Sequence, residues 1–172
     1  MPRIRWTALG AVVGALLVFS TAAPCQESAK DQAALATAPR VKHVSLATGI
    51  KAAATKGKPI SAKYEYADGK LQLSVYTEKG GQFSEVVVNH VTGKVAKAEK
   101  ITDAGDLKDS QAQSAAMAKA KSSLRSALAK AVAANKGYSA VAVTAALKDG
   151  KAVAEITLMK GSELKTVTEP LA

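Results

Sequence analysis

The sequence predicts an α+β fold made of two tandem copies of one unit, each a helix packed on a three- to four-stranded antiparallel β-meander. Three observations predict it. The stretches ADGKLQLSVYTEKGG (residues 67–81) and KDGKAVAEITLMKG (residues 148–161) share a turn–strand–turn layout: Asp68 and Asp149 stand 81 positions apart, and 12 positions after each comes Gly80 or Gly161. The segments on either side of both turns alternate apolar and polar residues, the period of a half-buried strand. Each set of strands also follows a helical pattern that a glycine ends, Gly57 in the first case and Gly137 in the second. Repetition of the whole ordered set marks an internal duplication, with one residue inserted in the second copy between glycine and turn.

The chain begins with features of an export signal over residues 1–25. Arg3 and Arg5 form a positive start, LGAVVGALLVF is an apolar run too short to span a bilayer, and the small residues of STAA suit a signal peptidase. Cys25 directly follows and is a candidate for lipid attachment. Ala22 and Pro24 fit the usual lipoprotein pattern poorly, which favours a cysteine that merely lies near a cleavage point. It is the single cysteine of the chain, so no internal disulfide can form. The expected destination is the periplasm or the exterior. Residues 26–40 are polar and alanine-rich and read as a spacer ending near Pro39.

The first unit is expected over residues 41–101. Val41, Val44, Ile50 and Ala54 have near-helical spacing, with Gly57 and Pro59 closing the helix. SAKYEYA, LQLSVYT, FSEVVVNHV and KVAKAEKI then read as four strands. Asp68-Gly69, Gly80-Gly81 and Thr92-Gly93 supply the tight turns, because type I′ hairpins need positive φ at both central positions. Tyr64, Tyr66, Tyr76 and Phe83 are the few large pieces of a core otherwise built from Val, Leu, Ile and Ala, since aromatics make up only 4% of the chain.

Residues 102–109 (TDAGDLKD) read as a polar linker, and residues 110–172 as the second unit. A single long helix is expected over residues 110–134, capped by Ser110 and rich in alanine. Its apolar stripe would be Met117, Ala120, Leu124, Ala127, Leu128, Ala131 and Val132. YSAVAVTAAL, KAVAEITLM and ELKTVTEPL follow as three strands, broken by Asp149-Gly150 and Gly161-Ser162.

The stretch SAKYEYADGKLQLSVYTEKGGQFSEVVVNHVTGKV (residues 61–95) resembles the PepSY family, small domains named after bacterial peptidase propeptides. The polar-Gly-Lys turn, the alternating strand and the EVVVNHVTGKV ending carry the likeness, with Asn89-His90 where the family often has Asp. Residues 115–171 resemble a second, truncated member. The resemblance implies an antiparallel sheet covered by a helix, an envelope location, and a role in restraining peptidases or contacting other envelope proteins. It brings no catalytic residues, and it implies structural roles for Glu85, Thr92, Gly93 and Lys94.

The residues themselves show no reaction motif. His43 and His90 are 47 positions apart, no HExxH or CxxC occurs, and no metal or cofactor is expected. Glu65, Glu85, Glu155 and Glu163 lie on different strands and turns and read as members of solvated faces. The formal charge of +10 favours anionic partners. Stacking aromatics are not interleaved with the lysines, which argues against nucleic acid. Lys119, Lys121, Arg125 and Lys130 are candidate contacts for an acidic partner. The expected function is therefore an exported, non-enzymatic binding module that contacts an envelope or secreted protein, with a peptidase as one such partner, through a sheet edge or exposed face. The other expectation is a structural or stress-related envelope protein whose basic surface binds anionic wall polymer or lipid.

Overall fold

A computed structural model describes residues 43–67 and 69–172. The export signal, the spacer, Cys25 and Asp68 lie outside the described residues. Within them the fold is α+β: a seven-stranded antiparallel sheet and three helices. Helix α1 spans Leu46–Ala53, and strands β1 (Lys58–Ala67), β2 (Lys70–Lys79), β3 (Gln82–Val88) and β4 (Val95–Lys100) follow. Helices α2 (Ala104–Lys119) and α3 (Leu124–Ala134) precede β5 (Ser139–Lys148), β6 (Lys151–Lys160) and β7 (Glu163–Pro170). The sheet order is β4-β3-β2-β1-β5-β6-β7, so two meanders meet through their first strands. The two expected meanders thus join into one continuous sheet. The seam between β1 and β5 is short: Ser61 faces Thr144, Ala62 faces Val143 and Lys63 faces Ala142.

The turns are as tight as their glycines suggest. Gly80 and Gly81 have φ of 59° and 77°, and Asp149 and Gly150 have φ of 51° and 74°, the left-handed pairs that close a type I′ hairpin. The registers of the two meanders coincide at the same 81-residue offset. Lys79 pairs with Gln82 as Lys160 pairs with Glu163. A bulge falls between Pro59 and Ser61 in β1 and between Ala140 and Ala142 in β5, and the extra residues, Ile60 and Val141, are both buried. The helices match too. Ser45 caps α1 by accepting from the Thr48 amide, and Ser123 caps α3 by accepting from the Ser126 amide.

Helices α1 and α3 lie on one face. Cross-strand partners share a face of a sheet, so Ala62, Tyr64, Leu73, Val75, Val86 and Val88 form one apolar surface in the first half, and Val143, Ala145, Ala154, Ile156 and Leu158 continue it in the second; all are buried. Leu46 and Ile50 of α1 and Leu124 and Leu128 of α3 complete this core. Gly49 brings α1 close: a Cβ there would stand 2.5 Å from Leu73 Cδ2.

The expected single helix over residues 110–134 is two helices, and the expected linker supplies the first turns of α2. Asp103, not Ser110, is the cap; its carboxylate accepts from the amides of Gly105 and Asp106, while Ser110 is buried mid-helix. The break falls at Ala120, whose ψ of 136° is extended. The amides of Lys121 and Ser122 donate to the Leu171 carbonyl at 2.6 and 3.1 Å instead of to the preceding turn. Two serines there also compete with helix through their own hydroxyls. The break moves the chain from one face of the sheet to the other. Lys58 and Ser61 share the face of Tyr76, opposite to Ala62 and Val75. On that face Ser61 Oγ donates to Gln113 Oε1 at 2.7 Å and Lys58 Nζ donates to the Met117 carbonyl at 2.8 Å. Helix α2 therefore crosses the second face. The expected stripe is divided accordingly: Met117 is buried by α2, Leu124, Ala127, Leu128 and Ala131 by α3, and Val132 remains 38% exposed.

Candidate functional site: an apolar cleft between α1 and α3

Between α1 and α3 the sheet is not fully covered, and a cleft of about 750 Å³ remains. Its cause is local. The β1–β5 seam ends at Lys63 and Ala142, and past that point Tyr64 of β1 and Ala140 and Val141 of β5 form the floor. On the α3 side the wall is Leu128, Ala129, Val132 and Ala133, of which the two alanines are too small to reach across. The opposite wall is the start of α1, from Val44 to Ala47. Leu71 and Met159 close the floor on either side. Ala129, Val132 and Ala133 are exposed, so this apolar wall faces solvent.

The α1 end of the cleft is held by a small polar knot. Val44 donates its amide to the His90 carbonyl at 2.8 Å, and Tyr64 Oη donates to the Val44 carbonyl. His43 Nδ1 and His90 Nδ1 stand 2.9 Å apart, with ring centroids at 4.8 Å in an edge-on arrangement. One of these nitrogens must carry the proton and the other accept it. Burial, and then the charge of His90, hold His43 below the usual histidine range. Burial pushes Tyr64 up to about 12, so its hydroxyl is a donor at any physiological pH. The sequence pattern puts His43 in the first helical segment and His90 in the third strand, 47 positions apart. They lie instead in the loops before α1 and after β3, and the fold brings them together.

At the α3 end stands Tyr138. Lys165 Nζ lies 4.7 Å and Lys160 Nζ 5.7 Å from its ring centroid, and its hydroxyl donates to Glu163 Oε1. That hydrogen bond, followed by burial and the Glu163 charge, raises its pKa. Neither lysine has a carboxylate within ion-pair distance among the described residues.

Other expected site residues lie elsewhere. Lys119 reaches the Gly150 carbonyl at 3.5 Å from the end of α2, Lys121 sits in the helix break, and Arg125 and Lys130 are on the exposed side of α3. The break leaves them on separate elements, and none lines the cleft. The four glutamates expected on solvated faces are all partnered. Glu65 pairs with Lys63 at 2.6 Å, Glu155 with Lys148 at 2.8 Å, Glu85 accepts from Ser74 and Gln72, and Glu163 accepts from Tyr138. Thr92 and Gly93 belong to a turn in which Asn89 Oδ1 accepts from the amides of Val91 and Thr92. Among the described residues no group of three or more His, Cys, Asp or Glu is placed to hold a metal ion, and no helix is long and apolar enough to cross a membrane. His43 and His90 alone would offer a metal two nitrogens.

No family model matches the chain, and no curated protein matches it. Among solved structures it is similar to the crystal structure described as that of a "putative lipoprotein" from Clostridium difficile 630, at 14% identity and a TM-score of 0.34, over 67% of this chain and 85% of that one.

Proposed function

We propose that the protein is an exported, non-catalytic binding module of PepSY-like type, and that it binds in the cleft between α1 and α3. The observation that carries this reading is the cleft itself: an apolar, solvent-facing hollow of about 750 Å³ with polar groups gathered at its two ends, the form typical of ligand sites. The matching 81-residue registers and the paired serine caps support descent of the two halves from one duplicated unit. On that reading the cleft forms where two copies of a helix face each other across the joined sheet.

The cleft is favoured over the sheet edges. The outer strands are β4 and β7, and Lys97, Glu99 and Lys100 on one and Glu163, Lys165, Glu169 and Pro170 on the other are residues that discourage strand addition. Contact with an envelope protein or a peptidase would then insert an apolar group into the cleft. The alternative, binding of anionic wall polymer or lipid by surface charge, draws support from the exposure of Lys119, Lys121, Arg125 and Lys130.

A titration with the neutral apolar dye N-phenyl-1-naphthylamine tests the cleft. The dye should brighten on binding, and Ala133→Trp, placed on the exposed wall, should abolish most of the signal without lowering the unfolding midpoint. Equal brightening by both proteins would overturn the assignment.

A further inference from the structure

We infer that the ligand of the cleft is a single-chain carboxylic acid, a free fatty acid in chemical class, whose headgroup is received by Lys160 and Lys165 beside Tyr138. This inference rests on the cleft being the binding site and makes the apolar group that enters it a free acyl chain rather than a side chain of a protein partner. The hollow is mostly apolar along its walls and floor, with Ser45 and Ser139 set among the aliphatic residues, and so suits a hydrocarbon chain. Its two ends differ in charge. At the α1 end the two histidine Nδ1 atoms bond each other and the Tyr64 hydroxyl bonds the Val44 carbonyl, and no lysine or arginine is among the described residues lining that end.

The other end has cations nearby. Lys165 and Lys160 stand just outside the lining and bring their ammonium groups to 4.7 and 5.7 Å from the ring centroid of Tyr138, which lines the cleft. A cation over a ring keeps most of its capacity to bond an anion. Glu163 is the opposing charge nearby, and it is engaged by the Tyr138 hydroxyl. Two positive groups against one carboxylate leave a net positive rim, on a chain whose formal charge is already +10. An anionic headgroup at this rim, with its chain laid along Ala133 and Val132 toward Leu46, matches both the charge and the apolar wall. A headgroup at the rim is partly solvated, so the chain supplies most of the affinity and the lysines supply selectivity for the acid.

The experiment compares cis-parinaric acid with its methyl ester, both fluorescent when shielded from water, on the wild-type protein, the Lys160→Gln/Lys165→Gln double variant and Ala133→Trp. The acid should bind about fivefold more tightly than the ester. The double variant should lower the acid to the level of the ester and leave the ester unchanged, and Ala133→Trp should weaken both. In a series of saturated acids competing with the probe, affinity should rise about fourfold per added methylene until the cleft is full. Equal binding of acid and ester to the wild type would overturn the headgroup assignment while leaving the cleft reading intact, as would binding of the neutral dye but of neither parinaric probe. Binding of the acid that survives Ala133→Trp and vanishes in high salt would mean adsorption to the basic surface and overturn it. Failure of the dye and both probes to bind would remove the cleft reading as well.

Discussion

His43 and His90 meet nitrogen to nitrogen at 2.9 Å, one from the loop before α1 and the other from the loop after β3, and so tie the rim of the cleft to the sheet. The bond needs one bare nitrogen. When both rings are protonated, two donors face each other and the attraction becomes repulsion.

The first prediction is a dependence of stability on acid. Burial and the neighbouring His90 depress His43 in the folded chain, so the unfolded chain takes up its proton more readily. The contribution of the neutral pair is therefore present above the unfolded value of about 6.5 and is lost as pH falls through the lower folded value. Urea midpoints measured at neutral pH and on stepwise acidification should decline below that point in the wild type. His43→Gln should flatten the decline; a variant curve parallel to the wild type would show that the pair is not its source.

Tyr64 holds the same rim by its hydroxyl. Tyr64→Phe keeps the ring on the floor and leaves the Val44 carbonyl without its donor, at a cost of about 1 kcal/mol. Tyr64→Ala opens the core beneath and should cost about 3–5 kcal/mol, the range for aromatic truncation. Equilibrium denaturation of the two variants side by side would separate the hydrogen bond from the packing.

Two glycines differ in what crowds them. A Cβ at Gly57 would come 2.8 Å from the Glu78 carbonyl oxygen, backbone in the sheet that cannot retreat. Gly57→Ala should then lower stability by about 1–3 kcal/mol. At Gly49 the nearest atoms all belong to the Leu73 side chain, which must shift within the core, while alanine favours helix by about 1 kcal/mol and offsets part of that cost. Gly49→Ala should be the milder of the two by thermal melting, and the reverse order would refute this account.

Leu171 lies fully buried beside the helix break, where its carbonyl receives two amides and its own amide donates to Ala152. Leu171→Ala keeps those backbone bonds and removes the side chain from the core. A loss of about 2–5 kcal/mol is expected, visible as a fall in the denaturant midpoint at unchanged slope. If α2 and α3 instead fused on losing this anchor, far-ultraviolet circular dichroism would report added helix.

All seven strands were legible, because period-two alternation and paired glycine turns are written locally: Asp149-Gly150 and Gly80-Gly81 adopt the positive φ their types suggest. The start of α2 was also written, in Asp103 as a cap with Asp106 in the first turn, but a polar surface helix has little apolar stripe and reads like a linker. The break at Ala120 was hidden because the Leu171 carbonyl that receives its amides is 50 residues away. The cleft was hidden for the same reason. Nothing local joins His43 to His90 or Tyr138 to Lys165, and a hollow is a property of what neighbouring elements fail to fill. The alanines that leave it open, Ala129 and Ala133, read as good helix formers and nothing more.

The β1–β5 seam consists of only three facing residue pairs, between two meanders that are each paired along most of their length. In mechanical terms the sheet is two stiff plates on a narrow weld, with the hollow set along the line where they would flex. On the opposite face α2 straps the two plates together, bonded to Lys58 and Ser61 of one and to the Gly150 carbonyl of the other, and so holds the angle that sets the space between α1 and α3.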